Sequence, residues 1–128
     1  MSAKSNKDVI VYLDQNTRMV KAHTLGGSKQ WNVTNDGQYY GLILSPDRAK
    51  IIVHKNGKVF VYASDGSGLI SSLGEGIANS WSPDEKNILF FIDEITDGHS
   101  ISGSELYLIN SDGSQKWQLT HTLNIFEM

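Results

Sequence analysis

Ser45-Pro46-Asp47 and Ser82-Pro83-Asp84 are one tripeptide repeated 37 residues on, and Asp65-Gly66-Ser67 returns after 47 residues as Asp112-Gly113-Ser114. The two spacings differ by ten, so one copy carries an insertion of about that length. A third copy shows near the start, where Gly27-Ser28-Lys29-Gln30-Trp31-Asn32-Val33-Thr34 echoes Gly113-Ser114-Gln115-Lys116-Trp117-Gln118-Leu119-Thr120. Gly27/Gly113, Ser28/Ser114, Trp31/Trp117 and Thr34/Thr120 are identical in register, and Val33/Leu119 is conservative. A period of about 40 residues is the length of one four-stranded supersecondary unit.

The runs between these turns read as strands. Val9-Ile10-Val11-Tyr12-Leu13, Ile51-Ile52-Val53 and Ile88-Leu89-Phe90-Phe91-Ile92 are short, β-branched or aromatic, as expected of strands buried on both faces. Val59-Phe60-Val61-Tyr62 and Leu106-Tyr107-Leu108-Ile109 form a second set, each ending near an Asp-Gly. That pair supplies the positive φ a tight hairpin needs, so it joins the third strand of a unit to the fourth. Ser-Pro-Asp serves one hairpin earlier, with Pro fixing φ and the Asp carboxylate accepting backbone N–H bonds. No segment has sustained 3.6-residue periodicity with caps, so the chain reads as all-β with almost no helix.

With strands lettered A to D from the inside outward, residues 1–7 are a polar tail and 8–34 supply B, C and D of one unit. Residues 38–73 give A to D of a second and 77–120 A to D of a third. Residues 122–128 then read as one spare A strand.

Trp81-Ser82-Pro83-Asp84, Ile88-Leu89-Phe90, Glu105-Leu106-Tyr107-Leu108-Ile109-Asn110-Ser111-Asp112-Gly113-Ser114 and Trp117-Gln118-Leu119-Thr120 closely resemble the repeat of TolB-type (WD-repeat-like) β-propellers. That repeat runs W-S-P-D-G-K, an I-A-F strand, an L-Y strand, D-G and a final L-T. The second unit departs from it: Leu44 stands for the Trp, Arg48 for the Gly, and Leu69 to Leu73 lacks the L-T ending. The first unit keeps only its latter half, so the resemblance covers residues 25–120. It implies blades of four antiparallel strands and a role as an interaction platform or as a gating domain attached to a serine peptidase. Three blades cannot close a ring, because open ends leave apolar sheet faces in water. Either the chain is a piece of a longer protein, or two copies form a six-bladed homodimer in which residues 122–128 of each complete the partner's blade at 8–34, and the one-strand phase offset favours the homodimer.

Composition narrows the function. Of 128 residues, 39% are hydrophobic and 20% charged, enough for a packed core. A net charge of -3 from 11 basic and 14 acidic side chains gives no basic footprint for nucleic acid or an anionic membrane. Without cysteine there is no disulfide framework and no thiolate nucleophile or ligand. No apolar stretch has the length of a signal h-region or a membrane span, so the chain reads as cytoplasmic if it is complete.

Trp31, Trp81 and Trp117 recur at repeat positions and are expected to pack between blades. The ten-residue excess falls in Asp93 to Ser104, between strands B and C of the third unit. In propeller topology the B–C and D–A loops share one face, opposite the Ser-Pro-Asp and Asp-Gly turns. Asp93, Glu94, Asp97 and His99 thus crowd one rim as candidates to hold a cation or contact a partner, the alternative being a solvated loop. Arg18 and Lys55 are further partner-binding candidates on that face, beside Asn16, Thr17, Asn56 and Glu75. For catalysis His23, His54, His99 and His121 are scattered, and there is no G-x-S-x-G elbow, P-loop or H-E-x-x-H. No catalytic residue, resident metal or cofactor is expected. The leading expectation is a non-catalytic scaffold that binds a protein, peptide or small ligand at the loop face or central channel. The alternatives are half of an enzyme-associated propeller, with a peptidase or lyase elsewhere in a longer chain, and a purely structural fragment.

Overall fold

The computed structural model describes residues 9–26, 29–95 and 101–119, with the backbone alone over 93–95 and 101–104. These residues hold eleven strands and no helix. β1 (Val9–Leu13), β2 (Val20–Thr24) and β3 (Gln30–Asn32) form a three-stranded antiparallel sheet in chain order. β4 (Tyr40–Leu44), β5 (Lys50–Lys55), β6 (Lys58–Ala63) and β7 (Leu69–Glu75) form a four-stranded one. β8 (Ile77–Trp81), β9 (Asn87–Ile95), β10 (Ile101–Asn110) and β11 (Lys116–Gln118) form the third, again in chain order.

The repeated turns sit where their chemistry puts them. Each Ser-Pro-Asp joins the first two strands of a four-stranded sheet. Asp47 Oδ1 accepts from the Ser45 hydroxyl (2.8 Å) and the Ala49 amide (2.9 Å). Asp84 Oδ1 does the same with Ser82 (2.6 Å) and Lys86 (3.0 Å). Each Asp-Gly closes the hairpin from third strand to fourth, with Gly66 at φ 88° and Gly113 at φ 81°. Asp65 and Asp112 accept the amides of Ser67 and Ser114, both at 2.9 Å. Arg48 and Glu85 take left-handed φ values of 66° and 67° at equivalent positions, where the repeat has a glycine. Each of these side chains ties its turn to the preceding sheet. Arg48 Nη1 donates to the Val9 carbonyl at 3.0 Å, and Glu85 Oε2 accepts from the Asp47 amide at 2.6 Å.

The sheets stack in sequence order through two apolar clusters. Alternation along β5 and β6 decides which residue goes where. Ile51, Val53, Phe60 and Tyr62 meet Val9, Val20, Ala22 and Trp31 of the first sheet. Ile52, Val59 and Val61 meet Ala78, Ile88, Phe90 and Ile109 of the third. The middle sheet is covered on both sides, and Ile51, Ile52, Val53, Val59 and Val61 are all 0% exposed. Burying each stabilises the stack by roughly 1.5–3 kcal/mol. A second tie recurs from the outer strand of one sheet to the last hairpin of the next. The Trp31 indole donates to the Ser64 carbonyl at 2.9 Å, and the Ser71 hydroxyl to the Ser111 carbonyl at 2.7 Å.

Three expectations need correction. Burial on both faces holds for β5 but not for β1 or β9, because among the described residues the first and third sheets are packed on one side only. Trp31 and Trp81 pack between sheets, with the Trp81 indole on the Ile43 carbonyl at 3.2 Å, whereas Trp117 lies on the face of the third sheet turned away from the second and is 45% exposed. The insertion at 93–104 is not wholly loop: β9 and β10 run on as a long hairpin that pairs Asp93 with Ser104 and Glu94 with Gly103. Residues 122–128 lie outside the described residues.

The turn aspartates give the fold an acid limit. Backbone amides of Thr17 and Asn16 hold the Asp14 carboxyl well below its usual value of 3.8. The Ser67 hydroxyl and amide do so for Asp65, the Ser82 hydroxyl and Lys86 amide for Asp84, and the Ser114 hydroxyl and amide for Asp112. Carboxyls whose folded values are depressed add stability that is complete above 3.8 and is lost as pH falls toward their folded values. Glu85 works the other way, pushed up by desolvation and the neighbouring Asp47 carboxyl. Six depressed aspartates, with Asp36 and Asp47 included, outweigh it. The urea midpoint is therefore expected to drop steeply below pH 3.8, and less steeply in Asp65→Asn. A midpoint that rises on acidification would contradict this.

Candidate functional site

Opposite the Ser-Pro-Asp turns, the connections between sheets pack onto the loops within them. The link from β3 to β4 bonds to the β1–β2 loop through Gln38 N to Thr17 O (2.9 Å) and Tyr39 N to Arg18 O (3.1 Å). The link from β7 to β8 bonds to the β5–β6 turn through Gly76 N to Gly57 O (3.0 Å). The B–C and D–A loops therefore share one end of the stack.

Between the first and second sheets this end is filled. Lys55 Nζ pairs with Asp36 Oδ2 at 2.7 Å and lies 5.0 Å from the centre of the Tyr39 ring. The Tyr39 hydroxyl donates to Asp36 Oδ1 at 2.9 Å and bonds the Tyr62 hydroxyl at 2.8 Å. Desolvation and these two partners push the Tyr39 phenol far above its usual value, so it stays a neutral donor.

Between the second and third sheets the same end is open. A cleft of about 360 Å³ lies there, walled by Tyr40, Ile77 and Phe91 with Asn56, Glu75 and Gly76 at its polar side. A second hollow of about 260 Å³ continues from it along the inner strands, past Leu42, His54 and Ala78, and shares Tyr40 and Ile77 with it. Both apolar walls are accessible: Tyr40 is 44% and Ile77 55% exposed.

One buried imidazole builds the floor. His54 Nε2 accepts the Ala78 amide at 2.9 Å, which places the ring proton on Nδ1, 3.0 Å from the Gly41 carbonyl. Its ring stacks on Tyr40 with centroids 5.4 Å apart and planes 21° off parallel. Tyr40 reaches back through its hydroxyl to the Gly57 amide at 3.2 Å. Two glycines make room. At Gly41 (φ 65°) a Cβ would stand 2.5 Å from His54 Nδ1, and at Gly76 (φ 146°) one would stand 2.7 Å from the Phe91 carbonyl oxygen.

The candidates from sequence fall in separate places. Lys55 is committed to Asp36 and Tyr39 beside the filled gap. Arg18 sits in the β1–β2 loop at φ 62°, exposed, with its carbonyl used by Tyr39. Asp93 and Glu94 lie on β9, and Asp97 and His99 lie outside the described residues. Asn56 and Glu75, which the sequence puts on the loop face, both border the cleft. It missed Tyr40, His54 and Ile77, for which nothing in the repeat is diagnostic. Among the described residues no group of three His, Asp or Glu side chains is placed to hold a metal ion. No helix among them is long and apolar enough to cross a membrane.

No family model matches the chain, and no curated protein does. Solved structures do. TolB from Acinetobacter baumannii superposes with a TM-score of 0.62 at 20% identity, over 92% of this chain and 32% of that one. A chain of the nidogen/laminin complex superposes at 0.61 and 14% identity, over 88% of this chain and 44% of its own length. Both neighbours are β-propellers. The fold is a β-propeller. The three sheets are its blades 1, 2 and 3 in chain order, and the chain spans less than half the length of either neighbour. In propeller terms β4 and β8 are inner strands, so the cleft lies on the loop-rich face and its second hollow runs along the axis side.

Proposed function

We propose that the chain is a TolB-type propeller segment acting as a binding or assembly scaffold, without chemistry of its own, that takes a protein, peptide or small ligand in the cleft between blades 2 and 3. The observation that carries this is the contrast between the two inter-blade gaps on the loop-rich face. One is closed by the Asp36–Lys55–Tyr39 network, while the other leaves an aromatic and aliphatic hollow with a few polar groups at its edge. Concave apolar walls with sparse polar groups are the usual form of a ligand site. The His54 and Tyr40 bonds hold these walls before any ligand arrives, which lowers the ordering cost of binding. The test is a ¹H–¹⁵N titration of the chain with a fragment library and with pooled hexapeptides. Shifts are expected at Asn56, Gly57, Gly76 and Ile77, and are expected to vanish in Ile77→Asp, whose side chain is exposed. Shifts confined to the Ser-Pro-Asp face would sink the reading, and so would none at all.

A further inference from the structure

The cleft between blades 2 and 3 has a sign. Among the described residues that border its two hollows, Glu75 carries the only formal charge, and it is exposed. His54 in the floor uses Nε2 as an acceptor, so its ring brings no positive charge. Neither lysine flanking the β5–β6 turn forms an ion pair with Glu75. Lys58 is its cross-strand partner on β6, yet among the described residues the ion pairs are Asp14–Lys21 and Asp36–Lys55. Lys55 is held by Asp36 at 2.7 Å, on the side of the filled gap.

The backbone adds to that bias. The amides of Gly57, Gly76 and Ala78 all border the cleft, and all are committed within the protein. They donate to the Tyr40 hydroxyl (3.2 Å), the Gly57 carbonyl (3.0 Å) and His54 Nε2 (2.9 Å) respectively. An anion entering here meets occupied donors and a carboxylate at the edge. A cation meets that carboxylate together with the rings of Tyr40 and Phe91, whose faces attract positive charge. Tyr40 stacks one ring face on His54 and is still 44% exposed.

The shape selects side chains over a whole small molecule. The hollows of about 360 Å³ and 260 Å³ run in series and share Tyr40 and Ile77. The first has the charged edge, while the second is bordered by Leu42, Ile43 and Ala78. Pockets for small molecules enclose most of the ligand surface, whereas the wall shared here is exposed, with Ile77 at 55%. In an extended peptide, side chains two residues apart point the same way, so one backbone lying outside can fill both hollows.

Taking the cleft as the binding site, we propose that its ligand is an extended peptide with a basic side chain two residues from an apolar one. The arginine or lysine lies against Glu75, Tyr40 and Phe91, and the apolar side chain occupies the second hollow.

A ¹H–¹⁵N titration with capped peptides Ser-X-Ser-Leu-Ser tests this, X being arginine, citrulline or glutamate. Citrulline keeps the shape of arginine and lacks its charge. The arginine peptide is expected to shift Gly76 and Ile77 and to bind about tenfold more tightly than the citrulline peptide. Glu75→Gln is expected to weaken the arginine peptide about threefold and to leave the citrulline peptide unchanged. Lys58→Met is expected to strengthen the arginine peptide alone, and raising the ionic strength from about 0.01 M to about 0.15 M to weaken it. A citrulline or glutamate peptide that binds as tightly as the arginine one overturns the inference and leaves the cleft standing as a binding site. Butylguanidine binding as tightly as the arginine peptide overturns it as well, because the ligand is then a small organic cation. Shifts at the cleft from library fragments, with none from any of these peptides, also overturn it. No shift at the cleft from either set removes the cleft reading too.

Discussion

Phe90→Ala is expected to lower the free energy of unfolding by about 3–5 kcal/mol, against a total of about 5–15 kcal/mol for an ordinary domain. Phe90 is 1% exposed and sits in the cluster that joins blades 2 and 3, with its ring 5.8 Å from that of Tyr107. Gly76 has no side chain partly because the Phe90 ring lies where a Cβ would go, 2.9 Å away. Truncation leaves a cavity that rigid sheets collapse into poorly. Urea unfolding followed by circular dichroism reads the loss. A change under about 1 kcal/mol would mean that blades 2 and 3 do not pack as described.

His54→Ala has the second-largest expected effect, and it acts through backbone rather than volume. The imidazole accepts from Ala78 in blade 3 and donates to Gly41 in blade 2, so one ring satisfies two strands of different sheets. Removing it strands a buried amide, at about 1–3 kcal/mol, and the vacated ring volume adds to that. Hydrogen exchange at the Ala78 amide should accelerate more than exchange in β6. Ligand shifts at Ile77 should weaken as Tyr40 loses its stacking partner. Unchanged exchange at Ala78 would show that the Nε2 bond is not made in solution.

The fold was legible because turn chemistry is local. Ser-Pro-Asp and Asp-Gly constrain φ and supply acceptors within four residues, so their spacing reports the hairpins whatever packs around them. The strands between them followed from β-branched and aromatic runs such as Ile51-Ile52-Val53 and Ile88-Leu89-Phe90, which lie in β5 and β9. The site was less legible because it depends on which sheets are neighbours. His54 looks like one of several scattered histidines until Gly41 and Ala78 are brought to it from other strands. The acidic Asp93-Glu94 pair reads as loop because charge is rare inside sheets. In a hairpin that extends past its sheet, backbone pairing continues without needing apolar side chains. Trp117 holds the repeat position of Trp31, but burial there requires a following blade, and none packs on it among the described residues.

The stacking of the three sheets can be read directly in solution. A methyl NOESY spectrum should connect Ile51 and Val53 with Val9, Val20 and Ala22, and Ile52, Val59 and Val61 with Ala78, Ile88 and Ile109. A folded chain in which neither set of cross-peaks appears would contradict the account.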